Sequence, residues 1–313
     1  MKALGTFVPM ATTDFDLLVV GDANPDVIVS GTPSTLAFGQ REQLVETGEL
    51  VLGGSAAITA CGAARLGLRT AFAGRVGADA AGEFVLYTLA GHGVDVSACV
   101  VDAARPTALT VVLVRGADRA ILTSPGCLSD QWAVPPSLVA RAAHVHVSSF
   151  FLQPGLDVAG LFRTARELGV GTSLDTNDDP SGEWKGLDGI IGLTDVLLPN
   201  DAEALAIAGL TGQDVTAAAR ALAAKGTLPV VKRGAAGALA WPPEGPVHAP
   251  AVPNPSFVDA VGAGDSFNAG FLAARLNGLH LEACLRLAVR AGTLSTRAAG
   301  GTAAQPTWEE ANS

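Results

Sequence analysis

The chain has 313 residues, a formal net charge of −10, and 49% hydrophobic against 16% charged side chains. That balance excludes a disordered chain and suits one large α/β domain with a small appendage, or two ordinary domains. The acidic excess excludes a general electrostatic role on nucleic acid, which draws on clustered Lys and Arg.

In chain order, "FDLLVVGD" predicts a short apolar strand ending in Gly21 and Asp22, and residues 27–51 mix β-branched residues with turn formers, which predicts a few exposed strands. "SAAITACGAARL", Ser55 to Leu66, is helical in composition and starts directly after Gly53 and Gly54. "TAFAGRVG" reads as a strand, "DAAGEFVLYTLAGHG" as a helix, and "TALTVVLVRGADRAILTS" as a hairpin around Gly116 to Asp118. The remainder alternates: strand "AHVHVSS", a helix about 156–168, strands "VGTSLD" and "DVLLPN", helices about 201–208 and 216–224, and strand "LPVVK". "AGALAW" and "GPVHAP" read as a hairpin, and a last helix runs about 281–296. Such alternation predicts a mostly parallel sheet with helices on both faces. The pieces at 27–51 and 105–125 do not fit it and are expected to form a separate small sheet.

No apolar run of 18 residues suggests a membrane span, and the first 20 residues lack a basic region followed by an apolar run and a cleavage site, so a cytoplasmic location is the expectation. Cys61, Cys99, Cys127 and Cys284 stand far apart and read as small buried hydrophobes. His144 and His146 alternate in a β-branched run, which places them on one face of a strand with no third metal ligand evident.

Ligands of open parallel sheets bind beyond the carboxyl ends of the strands. Polar residues and glycines gather there: Asn24 and Asp26, Gly53 and Gly54, Asp175 and Asn177, Asn200 and Glu203, and Lys232 to Gly237. Each has a bland reading, Asn200 as a helix cap, Asp26 as a turn residue and "KRGAAG" as a β-turn. "DAVGAGDSFNAGF", residues 259–271, adds a glycine turn into an apolar helix, whose free N–H groups suit an anion. Taken alone, this stretch favours Asp265 as simply the helix cap over a chemical group.

These segments, in order and spacing, resemble the ribokinase-like or PfkB carbohydrate kinases along nearly the whole chain. "DAVGAGDSFNAGF" matches the family's C-terminal signature, "GGSAAITACGAARLG" and "GRVGADAAG" its N-terminal elements, and "DTND", "PNDAE" and "KRGAAG" the elements between. The resemblance implies a single ribokinase-like α/β kinase domain over residues 1–313, mostly parallel and flanked by helices, with a small β-sheet lid from segments about 27–51 and 105–125. It implies ATP-dependent phosphorylation of a sugar hydroxyl. Asp265 is then the general base, and Gly262, Ala263 and Gly264 form an anion hole for the transferred phosphoryl group. Asn24, Asp26, Gly53 and Gly54 are the implied sugar contacts. Asn200 and Glu203 lie by Mg²⁺ and its waters, and Lys232, Gly234 and Gly237 line the nucleotide site. A potassium ion on Asp259 and carbonyls of 298–301, and a homodimer through the lid, are further implications.

Two positions depart from the family pattern. Ile58 stands where a substrate-contacting Asn is common, and Asp179 where an Arg can hold phosphate, which argues against an acidic or phosphorylated substrate. Val261 stands where Thr is frequent. The alternatives are a nucleoside kinase, disfavoured by 5% aromatics, and a catalytically silent sugar or nucleotide sensor. A Rossmann dehydrogenase is excluded by "VVGDAN", which has no GxGxxG.

Overall fold

The computed structural model describes residues 13–116 and 118–313. Most of the N-terminal stretch read for a leader, and Ala117 of the hairpin expected around 116–118, lie outside the described residues. The first half of the chain runs β1 (Phe15–Val20), β2 (Asn24–Ser30), β3 (Thr47–Gly53), α1 (Ser55–Arg65), β4 (Thr70–Ala73), β5 (Arg75–Gly77), α2 (Ala80–Gly91), β6 (Val100–Asp102), β7 (Leu109–Arg115) and β8 (Asp118–Ser124). It continues through α3 (Pro136–Val139), β9 (Ala142–Val147), α4 (Val158–Glu167), β10 (Gly171–Leu174), α5 (Asp188–Ile191), β11 (Val196–Leu197), α6 (Asp201–Ile207) and α7 (Val215–Ala223). The last part comprises β12 (Leu228–Lys232), β13 (Ala238–Ala240), β14 (Val247–Ala249), α8 (Ala263–Leu276), α9 (Leu281–Ser295) and α10 (Trp308–Asn312).

The main sheet has the order β14-β13-β12-β11-β10-β9-β1-β4, parallel from β4 to β12, with β13 and β14 added as an antiparallel hairpin. Side chains alternate across it. Leu17 and Val19 enter one core with Phe72 and helices α1, α8 and α9, while Leu18 and Val20 enter another with Val145, Val147, α4 and α7. Both faces are therefore covered, as buried parallel strands require. From β1 the chain goes first to β4 on one side and later to β9 on the other. That reversal opens a crevice at the carboxyl ends of β1 and β9, where ligands of such sheets bind.

"TAFAGRVG" is not one strand. The chain leaves the main sheet at Gly74, and β5 pairs instead with β6 in a two-stranded sheet. A separate four-stranded sheet has the order β3-β2-β7-β8. Its β2–β7 pair is parallel and its outer pairs are antiparallel. The row Leu50, Val27, Val111 and Leu122 crosses all four strands on one face, and Leu50 and Leu122 are exposed. The neighbouring row carries Asp26 beside Val51 and Thr110, and so lies on the opposite face. His144 and His146 do share a strand face, buried and bonded to Ser173 and Ser148. All four cysteines are free; Cys61, Cys127 and Cys284 are buried and Cys99 is half-buried. Among the described residues no helix is long and apolar enough to cross a membrane.

Candidate active site

The site begins at the turn into α8. Gly262 has φ 71°, and a Cβ on it would sit 2.6 Å from Gly301 Cα, so glycine alone fits there. Gly262 is the N-cap residue of α8, and no side chain caps the helix. The Ala263 N–H donates to Ala260 O at 3.2 Å and the Ser266 N–H to Gly262 O at 2.8 Å. The amides of Gly264 and Asp265 have no acceptor among the described residues. Two free amides at the positive end of a 14-residue helix make a place for an anion.

Asp265 is buried in the first turn of that helix, and it is not the cap. Its Oδ1 accepts the Ser55 hydroxyl, which stands at the start of α1. Burial pushes its carboxyl up to about 7, Asp175 and Asp22 push the same way, and the Ser55 hydrogen bond and Lys232 oppose them. A carboxylate poised near neutrality beside an anion site can take a proton there.

Beneath the turn, Lys232 at the end of β12 is half-buried and points inward. Its Nζ donates to Asp175 Oδ2 and lies 3.5 Å from Asn268 Oδ1. Asn268 Nδ2 donates to the same Asp175 oxygen at 2.5 Å. The ammonium also lies 3.7 Å from where a Cβ on Gly264 would be, just below the free amides. Burial disfavours its charge, but Asp175, Glu203 and Asp265 together hold its pKa above the ordinary value.

On the small-sheet side, Asn24 Nδ2 donates to Asp26 Oδ1 at 2.7 Å and to Thr110 Oγ1 at 3.2 Å, which fixes the Asp26 carboxylate. Burial raises that carboxyl to about 6, with Asp22 adding to the shift. A Cβ on Gly53 would fall 2.1 Å from Asp26 Oδ1, so glycine there admits the acid. Gly54 begins α1, but that helix N-terminus is filled: Asp22 accepts the N–H groups of Ser55 and Ala56, each at 3.1 Å. The second glycine turn is thus closed by the protein's own carboxylate.

Asn200 and Glu203 form a capping box on α6, with Glu203 Oε2 accepting the Asn200 N–H at 2.8 Å and Asn200 Oδ1 accepting the Glu203 N–H at 2.9 Å. The cap reading of Asn200 is therefore correct, and Asn200 holds both Glu203 oxygens, a carboxyl that burial raises and on which Asp175 and Lys232 act with opposing charges. Asn200 bridges to Lys232 across the sheet. Gly234 and Gly237 form the turn between β12 and β13. Asp259 accepts from the Val261 N–H at 3.1 Å and the Gly300 N–H at 3.2 Å, tying the start of the glycine motif to the 298–301 loop.

The two departures have structural jobs. Ile58 is buried, and its methyl groups lie against Gly262 and Gly301, so it packs under the glycine turn. Asp179 accepts from the Ser181 N–H at 2.9 Å and the Trp184 N–H at 2.7 Å, and these donors pull its pKa below the ordinary value although burial opposes them. It anchors its own loop. Ser55, Asp22 and Asn268 were not singled out from sequence as site residues. The available signals were a hydroxyl after Gly-Gly at a helix start, an acid closing the first strand, and an Asn one turn after Asp265.

A doubly wound sheet with a free helix N-terminus, a poised carboxylate and a small sheet beside them defines the class of α/β enzymes that handle anionic groups at a strand-end crevice. A sequence model of the pfkB family carbohydrate kinases matches residues 14–308. The chain is 33% identical over 274 residues to a fructokinase of Klebsiella pneumoniae, covering 81% of this chain and 88% of that one. It is 29% identical over 304 residues to a ribokinase of Arabidopsis thaliana, covering 93% and 78%. The solved structure of Arabidopsis thaliana ribokinase complexed with ribose and ATP superposes with a TM-score of 0.83 at 25% identity, over 95% of this chain and 97% of that one. The chain belongs to the pfkB family of carbohydrate kinases, with the ribokinase-like fold.

Proposed function

We propose that this kinase transfers the γ-phosphoryl group of ATP to a hydroxyl of a small neutral sugar, with Asp265 as general base. The observation that carries the reading is the buried Asp265 carboxyl, held near neutral pKa in the same helical turn as the free amides of Gly264 and Asp265. The sugar hydroxyl gives its proton to Asp265 as its oxygen attacks the γ-phosphorus; the bond to the β,γ-bridging oxygen breaks, and ADP leaves with that electron pair. The free amides, backed by Lys232, stabilise charge on the phosphoryl oxygens. Asn24 and Asp26 bind sugar hydroxyls beside Gly53, and the turn with Gly234 and Gly237 lines the nucleotide. The small sheet acts as a lid that excludes water and limits ATP hydrolysis.

Mg²⁺ supplies neutralisation of the nucleotide phosphates when bound. Asn200 and Glu203 would hold its waters. No group of three His, Cys, Asp or Glu among the described residues could hold a metal ion alone, which suits a cation that uses one or two carboxylates plus substrate phosphates. Asp259, tied to Gly300, is the candidate acid for potassium. Replacing potassium by choline should lower kcat, and identical rates in potassium, sodium and choline salts would remove that site. Pairing of two copies through the exposed Leu50–Leu122 row completes the proposal.

Neutrality of the acceptor follows from charge. Asp22, Asp26, Asp175, Glu203 and Asp265 act on one another across the crevice with Lys232 as their cation, and its ammonium is already bound to Asp175. An ADP-release screen over ribose, fructose, inositol, nucleosides, 2-keto-3-deoxygluconate and sugar phosphates tests this. One neutral acceptor should exceed the anionic ones by about tenfold or more in kcat/KM, because like charges brought together are costly. Turnover confined to an anionic sugar would overturn the assignment. A nucleoside acceptor is the second reading, favoured by Phe150, Phe151 and Trp184, which meet edge to face just beyond β9 and β10 with centroids 5.0 and 5.4 Å apart. These rings also pack on the second core, which gives them a structural role already.

A further inference from the structure

Three residues from distant segments connect to the carboxylate of Asp265 in a chain whose direction can be read from donor chemistry alone. The Ser149 main-chain N–H donates to Asn177 Oδ1 at 2.9 Å. A main-chain N–H can only donate, so the oxygen of the carboxamide must face Ser149 and its nitrogen must face the other way. Asn177 Nδ2 lies 3.0 Å from Ser55 Oγ, and it too can only donate. Ser55 Oγ therefore accepts from Asn177, and its single proton is left for Asp265 Oδ1.

The backbone supports this arrangement at a cost. Ser149 and Asn177 are two of the four non-glycine residues with positive φ among the described residues, at 55° and 53°. Left-handed backbone at such residues is strained and persists where the surroundings hold it. Here the two strained residues bond directly to each other at the ends of β9 and β10.

We propose that Ser149, Asn177 and Ser55 are positioning residues that orient Asp265, committing its Oδ1 to the Ser55 hydroxyl and reserving Oδ2 as the oxygen that takes the substrate proton. The relay rests on the reading of Asp265 as general base, but it makes a claim about the carboxyl that holds before any substrate binds. A donor aimed at a carboxylate favours the ionised form, so the relay lowers the pKa that burial raises. The other charged groups facing Asp265 are Asp22 after β1, Asp175 after β10 and Lys232 on β12, and the variants below leave all of them in place.

The test is the titration of Asp265 in the full chain, followed by carboxyl ¹³C NMR with the resonance assigned from Asp265→Asn, together with the acid limb of kcat/KM. Ser55→Ala should raise the midpoint by about one pH unit, the size expected when a hydrogen bond to a charged group is lost. Ser55→Thr, which keeps the hydroxyl, should return it to the wild-type value. Asn177→Gly removes the donor to Ser55 while adding no charge and tolerating the left-handed backbone, so it too should raise the midpoint, and it serves where Ser55→Ala fails to fold. An unchanged midpoint in Ser55→Ala and Asn177→Gly, with activity reduced equally at all pH, would overturn the relay and leave a packing role. Wild-type turnover in Asp265→Asn would instead remove the base, whatever the titration gives.

Discussion

Asp265→Asn is expected to lower kcat by about 10²-fold to 10⁴-fold while leaving ATP affinity nearly unchanged, because general-base catalysis is lost and the phosphate amides are kept. The carboxamide can still accept the Ser55 hydroxyl on its oxygen, and nothing in the helix cap is disturbed, since Gly262 occupies that position without a side-chain bond. Stability should not fall. Burial holds the folded-state pKa near 7, above the ordinary 3.8, so between these values the folded chain binds more protons than the unfolded one and stability decreases as pH rises through the window. A neutral carboxamide escapes that loss, so Tm at pH 8 should equal or exceed that of the wild type. In the wild type the same sign makes kcat/KM rise with pH through about 7. ADP release, ATP affinity and melting curves on the two proteins check each part; a folded variant with wild-type turnover would end the assignment.

The largest effect on stability is expected at Asp175. Its carboxylate is almost fully buried and accepts from both Lys232 and Asn268, and Lys232 is itself largely withdrawn from solvent. Asp175→Ala leaves a buried ammonium without its direct partner, a change that costs about 3–5 kcal/mol. Glu203 and Asp265 compensate in part, which places the expectation toward the lower end. Tm should drop by about 5 °C. The paired replacement Asp175→Leu with Lys232→Met should recover most of that loss, because the apolar pair needs no charge compensation. Denaturant unfolding of the single and double variants measures the difference. An unaltered midpoint in Asp175→Ala would mean that the ion pair contributes nothing to the fold.

Much of this architecture was legible from local patterns. The apolar runs ending in Gly21, Asp175 and Asn200 became β1, β10 and β11, and the 105–125 segment became the β7–β8 hairpin. Gly74 was misread because a glycine within "TAFAGRVG" does not reveal that the strand changes sheets there. The 259–271 motif was readable as a glycine turn into a helix, but its local pattern favoured Asp265 as the cap rather than the base, and the cap position is in fact held by Gly262. That choice depends on Ser55, 210 residues away, and no local pattern contains it. Asn177 stood out as a polar residue at a strand end, yet its meeting with Ser55 across 122 residues comes from the sheet order. Ile58 and Asp179 looked like lost ligand contacts, and their roles under the glycine turn and within a loop appear only with the packing. Lys232 sat in the expected segment, while its inward turn toward Asp175 reflects a need for charge compensation that sequence spacing does not display.

The central claim, phosphoryl transfer to a sugar hydroxyl at Asp265, is tested most directly by ³¹P NMR of the protein incubated with Mg²⁺-ATP and the acceptor selected by the screen. The account predicts a new phosphomonoester resonance growing one for one with ADP, absent without acceptor and absent over the same interval with Asp265→Asn. Release of inorganic phosphate with no phosphoester, or phosphoester formed at the wild-type rate by Asp265→Asn, would contradict it.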